Sequence, residues 1–238
     1  MNHTTQDAMF SNVIVDDYDL LQKISPLSVE MSRLVGVTIG AYSEALNIVE
    51  LGTGTGITTL SLLTAHHNAH IVTIDNQTTM HEKAEKNLQA WQHRLTFVCT
   101  DALNALQAMD SNSVDIIASA YTLHNFVNDY RERVIYEIFR VLKPNGQFIN
   151  GDRYALDDRE KHTHLIQQEV GNYFKVLIQL NKLDLLEQWI VHIFSDESEH
   201  HIMREAVALA QMQAAGFQNI QLSHRFEVNA LMTATKPS

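Results

Sequence analysis

Short apolar segments alternate with longer amphipathic segments along the middle of the chain. Five runs rich in branched residues predict buried strands, at residues 46–51, 71–75, 95–100, 114–120 and 147–151. Apolar positions at helical spacing predict helices between them, at residues 57–65, 80–91, 102–109 and 126–142. Strands that alternate with helices in this way predict an α/β fold with a parallel sheet and crossover helices.

The two ends of the chain and one internal segment depart from this alternation. The segments 219–223 and 226–233 are too close for a crossover helix, so they predict an antiparallel hairpin at one edge of the sheet. Apolar residues at helical spacing after residue 153, without a strand between them, predict an inserted helical lobe. The predicted units are an N-terminal helical lid at 1–45, a main domain at 46–152 and 203–238, and the lobe at 153–202.

Composition and charge narrow the classes of partner. The 238 residues carry 17 Lys and Arg against 28 Asp and Glu, a formal net charge of −11, which disfavours a nucleic-acid partner. Cys99 is the single cysteine, so no disulfide framework is expected. No segment approaches the roughly 18 apolar residues of a membrane span, and the N-terminus lacks a basic start. We therefore expect a cytoplasmic protein without a membrane partner.

Three alternating glycines follow the first predicted strand. Gly52, Gly54 and Gly56 permit a tight turn and a close approach of the backbone to a ligand at a helix N-terminus. The dinucleotide fingerprint requires its third glycine at position 57, where this chain has Ile57. The spacing therefore indicates a nucleotide-like ligand and disfavours NAD without excluding it.

Acidic residues end the next two predicted strands. Asp75 can accept hydrogen bonds from both hydroxyls of a ribose, with Asn76 beside it, although an Asp in this position also serves as a helix cap. Asp101 and the backbone N–H of Ala102 can meet the edge of an adenine. The alternative for Asp101 is an N-cap of the helix that begins at Ala102.

Together these residues resemble the class I S-adenosylmethionine-dependent methyltransferases, most closely the members that act on small molecules. The resemblance covers roughly residues 46–152 and 205–235. It is carried by the loop Glu50-Leu-Gly52-Thr-Gly54-Thr-Gly56, by Asp75, by Asp101-Ala102, by the segments 114–125 and 141–148, and by 214–217. It implies a Rossmann-like sheet of seven strands, mostly parallel and ending in an antiparallel hairpin, and S-adenosyl-L-methionine as the cofactor.

The resemblance also implies roles for single residues. The three glycines, with Thr53, pass under the methionine part of the cofactor, Asp75 and Asn76 bind the ribose, and Asp101 with Ala102 reads the adenine. Glu50 orders the glycine loop, and Ala120 lies beside the cofactor after the fourth strand. Tyr18 lies in a segment similar to the N-terminal lid of some members, where an aromatic hydroxyl reaches the cofactor carboxylate. Alternatively, Tyr18 only packs the first helix against the core.

Candidate catalytic residues follow the fourth and fifth strands. Tyr121, His124 and Asn125 can face the donor sulfur or the acceptor, and His124 is the best candidate general base because imidazole titrates near neutrality. The alternative for His124 is a hydrogen bond that holds the cleft wall. For contacts to a polar acceptor the sequence offers Asp152, Arg153 and Tyr154; Asp152 and Arg153 alternatively form an ion pair.

The 13 histidines raise the hypothesis of a metal site. They include His66, His67 and His70 at a helix end, the pair His162 and His164, and the pair His200 and His201. Because the sequence shows neither a thiol pair nor two histidines at helical spacing with an acid, we expect no metal site. The aromatic residues of the lobe, Tyr173, Phe174 and Trp189, are expected to form core or a homodimer interface, or else to line an acceptor pocket.

The sequence thus predicts a methyltransferase that acts on a small-molecule acceptor, with the capacity to form a homodimer. One alternative is methylation of RNA or protein, which a basic rim formed by Arg131, Arg133 and Arg153 would favour. A second is a sensor that binds the cofactor without transfer. Two others are a nicotinamide-dependent oxidoreductase and an enzyme that modifies the sulfonium of the cofactor itself.

Overall fold

A seven-stranded sheet forms the centre of the computed structural model, which describes residues 27–39 and 45–238. Its spatial order is β3-β2-β1-β4-β5-β7-β6. The strands are β1 Leu46–Leu51, β2 Ala69–Asp75, β3 Leu95–Cys99, β4 Val114–Ala120, β5 Leu142–Arg153, β6 Gln218–Phe226 and β7 Asn229–Thr235. The first five pair in parallel, and β7 pairs antiparallel with both β5 and β6. The predicted α/β fold and its terminal antiparallel hairpin at the sheet edge are therefore confirmed.

Helices cover both faces of this sheet. The α-helices are α1 Leu27–Thr38, α2 Ile57–Ala65, α3 Thr78–Asn87, α4 Ala102–Gln107, α5 Asn128–Val141, α6 Arg159–Gln179, α7 Leu183–Asp196 and α8 Glu205–Ala215, and two 3₁₀ helices span Gln89–Arg94 and Leu123–Asn125. Successive residues of β1 face opposite sides, so Ile48 packs with α1 and α2 while Val49 packs with α4 and α5. Both faces are buried, which explains why the strands are continuous apolar runs.

Several predicted elements differ from the structure in their bounds, and two of them change the local architecture. The helix expected at 80–91 begins earlier, ends at Asn87 and continues as the separate 3₁₀ helix. The strand expected at 147–151 already begins at Leu142, directly after α5, and its pairing with β4 shifts register between Val114 and Ile116. The turn residues at 143–146 therefore form an irregular start of β5, where Asn145 has a φ of 66°.

The order of the strands determines where a ligand can bind. Strand β1 lies between β2 and β4. The chain leaves β1 toward β2 on one side, and after β3 it returns to β4 on the other side of β1. Ligands of open α/β sheets bind at such a switch point, outside the carboxyl ends of the strands. The loops after β1, β2 and β4 therefore meet at one edge of the sheet.

Helices α6 and α7 form a hairpin with a small core of its own. Tyr173, Leu177 and Trp189 are buried in that core, whereas Phe174 is exposed and does not belong to it. A role of Phe174 in a homodimer interface stays a prediction. The bounds of a lobe at 153–202 and of an N-terminal lid at 1–45 stay predictions. Tyr18 lies outside the described residues. Within the part of the chain that the structure describes, no helix is both long and apolar enough to cross a bilayer.

Candidate cofactor and acceptor site

A cleft lies at the carboxyl ends of β1, β2 and β4. It encloses about 1080 Å³, part of which is open to solvent. Its walls are residues 52–55, 57–58, 74–77, 120–122 and 125–126, together with Ser28, Ser32, Met80, Thr100 and Ala102. Most of the cofactor contacts implied by the sequence, including Gly52, Thr53, Gly54, Asp75, Asn76, Ala102 and Ala120, lie in these walls.

The glycine loop runs along the floor of this cleft. Gly52 and Thr53 donate backbone hydrogen bonds to the carbonyl of Ile74, which fastens the loop to β2. Gly52 has a φ of +83°, and a Cβ there would lie 1.9 Å from the hydroxyl of Thr122. Gly54 has a φ of +50°, and a Cβ on it would meet no atom within 4 Å. A side chain at residue 54 would therefore occupy the cleft, so the glycine keeps space open for a ligand.

Asp75 connects the glycine loop to the loop that follows β2. Its Oδ2 accepts a hydrogen bond from the Gly54 N–H and its Oδ1 accepts one from the Gln77 N–H, both at 2.9 Å. Burial raises the pKa of Asp75, and the two N–H donors act in the opposite direction. Each carboxylate oxygen retains a lone pair, so both oxygens can also accept from ligand hydroxyls.

The neighbouring candidates differ in their surroundings. Asn76 lies in the cleft wall, and its buried Nδ2 has no protein partner among the described residues, so it can donate to a ligand. Asp101 is the N-cap of α4: it accepts from the Asn104 N–H at 3.0 Å and from the Tyr130 hydroxyl at 3.0 Å. The capping alternative is thus realised for Asp101, and its contact with an adenine stays a prediction.

Glu50 lies fully buried beneath the glycine loop. Its Oε2 accepts hydrogen bonds from the hydroxyls of Thr59 and Thr73, both at 2.6 Å, while its Oε1 has no partner among the described residues. Thr73 gives its hydrogen to Glu50, so Thr53 donates to the Thr73 oxygen, 2.7 Å away. Burial raises the pKa of Glu50 to about 7. This network joins β1, β2, α2 and the loop.

The loop after β4 supplies the opposite wall. The Tyr121 hydroxyl donates to Oδ1 of Asn229 at 2.9 Å, and burial together with Asp152 raises the pKa of Tyr121. Nδ2 of Asn125 donates to the Tyr121 carbonyl, whereas its buried Oδ1 has no partner among the described residues. Asn125 therefore presents a hydrogen-bond acceptor at the cleft wall.

His124 belongs to a different environment from Tyr121 and Asn125. Its Nδ1 lies 2.6 Å from Oδ1 of Asp152, and its side chain borders a second, smaller cavity rather than the cleft. Asp152 also accepts from the backbone N–H groups of Leu123 and Arg153. Burial raises the pKa of Asp152, but His124 and these hydrogen bonds outweigh it, so the pKa lies below its ordinary value. The roles of His124 as a base and Asp152 in acceptor binding stay predictions.

Arg153 and Tyr154 are held by other residues of the chain. Arg153 forms a bidentate ion pair with Glu169 of α6, with distances of 2.8 and 2.9 Å. Tyr154 is fully buried, and its hydroxyl accepts from Nδ2 of Asn150 at 2.8 Å. Arg153 thus fastens α6 to the end of β5, and contact of the side chains at 152–154 with an acceptor stays a prediction.

Sequence reasoning missed two groups of residues. Helix α1 contributes Ser28 and Ser32 to the cleft, and the Thr58 hydroxyl donates to Ser32 at 2.9 Å. His192 and Asp196 of α7 reach His124: the two imidazole centroids are 6.4 Å apart, and Oδ2 of Asp196 lies 3.9 Å from Nε2 of His124. A helical i,i+4 spacing relates His192 to Asp196, but no local pattern in the sequence brings either of them to His124.

The charge of the cleft is negative. Among its described lining residues Asp75 is the charged one, and none is Lys or Arg. A carboxylate in a partly enclosed site favours a cationic ligand and disfavours a ligand with several phosphates. The open space at Gly54, the carboxylate and the buried Asn76 amide fit an adenosyl sulfonium with two ribose hydroxyls.

Comparison with known proteins agrees with this geometry. Residues 48–146 match a family model described as a methyltransferase domain. A carboxy-S-adenosyl-L-methionine synthase of Ruthia magnifica is 24% identical over 220 residues, covering 90% of this chain and 86% of that protein. A demethylmenaquinone methyltransferase of Leptospira interrogans is 34% identical over 113 residues, covering 47% of this chain and 44% of that protein.

A solved structure shows the same fold. An O-methyltransferase family protein of Burkholderia thailandensis superposes with a TM-score of 0.70 at 15% sequence identity. The superposition covers 96% of this chain and 61% of that one, so the chain spans about three fifths of its length.

Proposed function

We infer that this chain, whose residues 48–146 form a class I S-adenosylmethionine-dependent methyltransferase domain, transfers a methyl group to a small-molecule acceptor. The observation that carries this proposal is the cleft at the switch point, where the open floor at Gly54 lies within one hydrogen bond of the Asp75 carboxylate. S-adenosyl-L-methionine supplies an electrophilic methyl group on a positively charged sulfur when it is bound.

The chain's own residues then have positioning roles. The glycine loop and Asp75 hold the donor, and Asn125 with Tyr121 forms the wall at which an acceptor meets it. Displacement at a methyl group requires in-line geometry and exclusion of water, and correct positioning alone contributes up to about 7–11 kcal/mol. A general base is needed only for an acceptor that loses a proton.

The surroundings of three arginines indicate whether the acceptor is a small molecule or a macromolecule. A nucleic-acid or protein substrate would be favoured by a free basic rim at Arg131, Arg133 and Arg153. Arg131 is instead buried and donates to the carbonyls of Leu123 and His201, and Arg153 is paired with Glu169. Of the three, only Arg133 is exposed. This arrangement supports a small acceptor over a macromolecular one.

A second candidate is synthesis of a carboxylated cofactor. The observation in its favour is the 220-residue similarity to a carboxy-S-adenosyl-L-methionine synthase, which extends beyond the methyltransferase domain. A carboxylated product would place a second negative charge in a cleft whose described residues include Asp75 and no Lys or Arg. This charge balance favours methyl transfer.

One experiment tests both candidates. The full-length protein is incubated with S-adenosylmethionine labelled in its methyl group and a metabolite extract, and the products are analysed by mass spectrometry. Label in a new metabolite together with S-adenosylhomocysteine supports methyl transfer. Label retained in a carboxylated cofactor supports the second candidate, and binding without any product supports a sensor.

Two finer proposals accompany this function. The single cysteine, Cys99, is an exposed free thiol, which supports a reducing, cytoplasmic location. A homodimer stays a prediction, which light scattering coupled to size-exclusion chromatography tests.

A further inference from the structure

Three buried side chains from two parts of the fold converge behind the cleft wall. His124 lies in the 3₁₀ helix after β4, whereas His192 and Asp196 lie one turn apart on one face of α7. Nε2 of His192 is 3.4 Å, and Nε2 of His124 is 3.9 Å, from Oδ2 of Asp196. The three side chains each offer a ligand atom within 4.8 Å of the other two.

Asp152 orients His124 for such a role. Asp152 already accepts the backbone N–H groups of Leu123 and Arg153, so it also accepts from Nδ1 of His124 at 2.6 Å. That hydrogen bond places the proton on Nδ1 and leaves the Nε2 lone pair directed at Asp196. A carboxylate that binds the far nitrogen of a histidine is the usual outer partner of a metal-bound imidazole.

Asp196 has a buried carboxylate oxygen that accepts no hydrogen bond from the described residues. Its side chain is 7% exposed, and its Oδ1 has no hydrogen-bond partner among the described residues. A buried carboxylate oxygen without a donor is unfavourable, because the water that solvated it has been removed. A cation bound by this carboxylate would offset that loss.

The charged groups around His124, His192 and Asp196 also favour a bound cation. Four carboxylates and two guanidinium groups gather around the cluster: Asp152, Glu169, Asp196, Glu197, Arg131 and Arg153. The carboxylates therefore outnumber the guanidinium groups by two. His162 shares the cluster through a 2.6 Å contact with Glu197. One divalent cation would neutralise the group.

We propose that His124, His192 and Asp196 bind one divalent first-row transition-metal ion of the zinc type. Two imidazole nitrogens favour such an ion over Mg²⁺ or Ca²⁺, which prefer oxygen ligands. Three protein ligands leave a coordination position open, and a small cavity, partly open to solvent and lined also by Arg153 and Met203, adjoins His124 and Asp196.

The site has a structural consequence. It fastens the end of α7 to the loop that carries Tyr121 and Asn125, and so to the acceptor wall of the cleft. Metal binding here does not depend on methyl transfer, so this proposal and the proposed function can fail separately.

The test uses the full-length protein, produced without a polyhistidine tag and stripped of metal. Zn²⁺ binding is followed by calorimetry, and Co²⁺ serves as a spectroscopic probe whose visible absorption reports nitrogen and oxygen ligands. We expect one equivalent of either ion to bind. Asp196→Asn and His192→Gln should each weaken Zn²⁺ binding at least tenfold, and Asp152→Asn should weaken it 10- to 100-fold.

A control separates this site from adventitious binding by surface histidines. His164 is exposed on α6, outside the cluster, and His164→Ala should bind Zn²⁺ as the wild type does. Circular dichroism verifies that each variant is folded. Failure of the wild-type protein to bind one equivalent of Co²⁺ overturns the proposal, whatever the variants do. Unchanged affinity in both Asp196→Asn and His192→Gln, or loss of binding in His164→Ala, overturns it as well.

Discussion

The carboxylate of Asp75 is the residue on which donor binding depends most. Asp75→Asn keeps the size of the side chain but removes the charge and one of the two acceptor oxygens that now receive Gly54 and Gln77. Hydrogen bonds to a charged group contribute about 1.5–3 kcal/mol each, so S-adenosylhomocysteine should bind at least tenfold more weakly. Calorimetric titration measures the change.

Asp129→Asn is the matched control for this variant. Asp129 is an exposed carboxylate on α5, away from the cleft walls, so its neutralisation should leave the dissociation constant unchanged. Equal dissociation constants for Asp75→Asn and the wild type would show that the ribose is bound elsewhere.

Glu50 should make the stability of the protein depend on pH. Its pKa is about 7 in the folded protein against 4.5 for the ordinary side chain, so between these values the folded state holds a proton that the unfolded state has lost. This raised pKa therefore lowers stability as the pH rises from about 4.5 to 7, by about 3 kcal/mol in total. The loss is complete about one pH unit above this pKa.

Glu50→Gln isolates this contribution. The amide oxygen still accepts from Thr59 and Thr73 but does not titrate, so the variant should gain stability relative to the wild type as the pH rises from 5 to 8. Urea denaturation at several pH values measures the difference between the two proteins. A difference that does not vary with pH would contradict the raised pKa of Glu50.

Sequence reasoning could place the residues that lie at the ends of predicted strands. Gly52 and Gly54 follow β1 directly and Asp75 ends the paired strand β2, so their positions in the cleft were predictable from the order of elements. The approach of His192 to His124 joins residues 68 positions apart through the packing of α7, which no local periodicity encodes. The buried acid and histidine cluster was therefore missed.

The ion pair between Arg153 and Glu169 fastens α6 to the end of β5. The pair is largely buried, and the Tyr173 hydroxyl also donates to Glu169 at 2.5 Å. Glu169→Gln leaves the guanidinium without its main partner, so we expect a loss of about 3 kcal/mol in unfolding free energy. Chemical denaturation measures this loss.

An exposed pair of the same kind is the control. Glu30 and Arg33 of α1 also form a bidentate contact, but about half of each side chain is exposed. Glu30→Gln should therefore cost less than about 1 kcal/mol. Similar losses for Glu30→Gln and Glu169→Gln would mean that burial does not strengthen the contact at β5.

The bounds of strands and helices were predictable where one apolar periodicity extends over the whole element. Strands β1 and β4 and helix α2 begin and end where the apolar runs do. Helix α3 was not predictable in its bounds, because the apolar positions of the 3₁₀ helix Gln89–Arg94 continue its period although the hydrogen bonding changes at Leu88. The periodicity of α6 and α7 predicted helices but not the face that meets β5.

The order of the elements along the chain was enough to place a ligand at the loop after the first strand. Strands that alternate with helices require a parallel sheet, and the loop after its first strand then lies at the switch point. The docking of the α6–α7 hairpin was not predictable, because it depends on polar contacts of Glu169 and Glu197 with Arg153 of β5. These contacts join segments with no pattern in common.

S-adenosylhomocysteine should stabilise the folded protein, and NAD should not. A ligand at one hundred times its dissociation constant adds about 2.7 kcal/mol to the unfolding free energy, which for a chain of this length raises Tm by about 5–10 °C. We expect this shift with S-adenosylhomocysteine in differential scanning fluorimetry. NAD should give none, because its pyrophosphate would meet Asp75 in a cleft whose described walls hold no Lys or Arg. Equal shifts with both ligands would instead favour a nicotinamide-dependent enzyme.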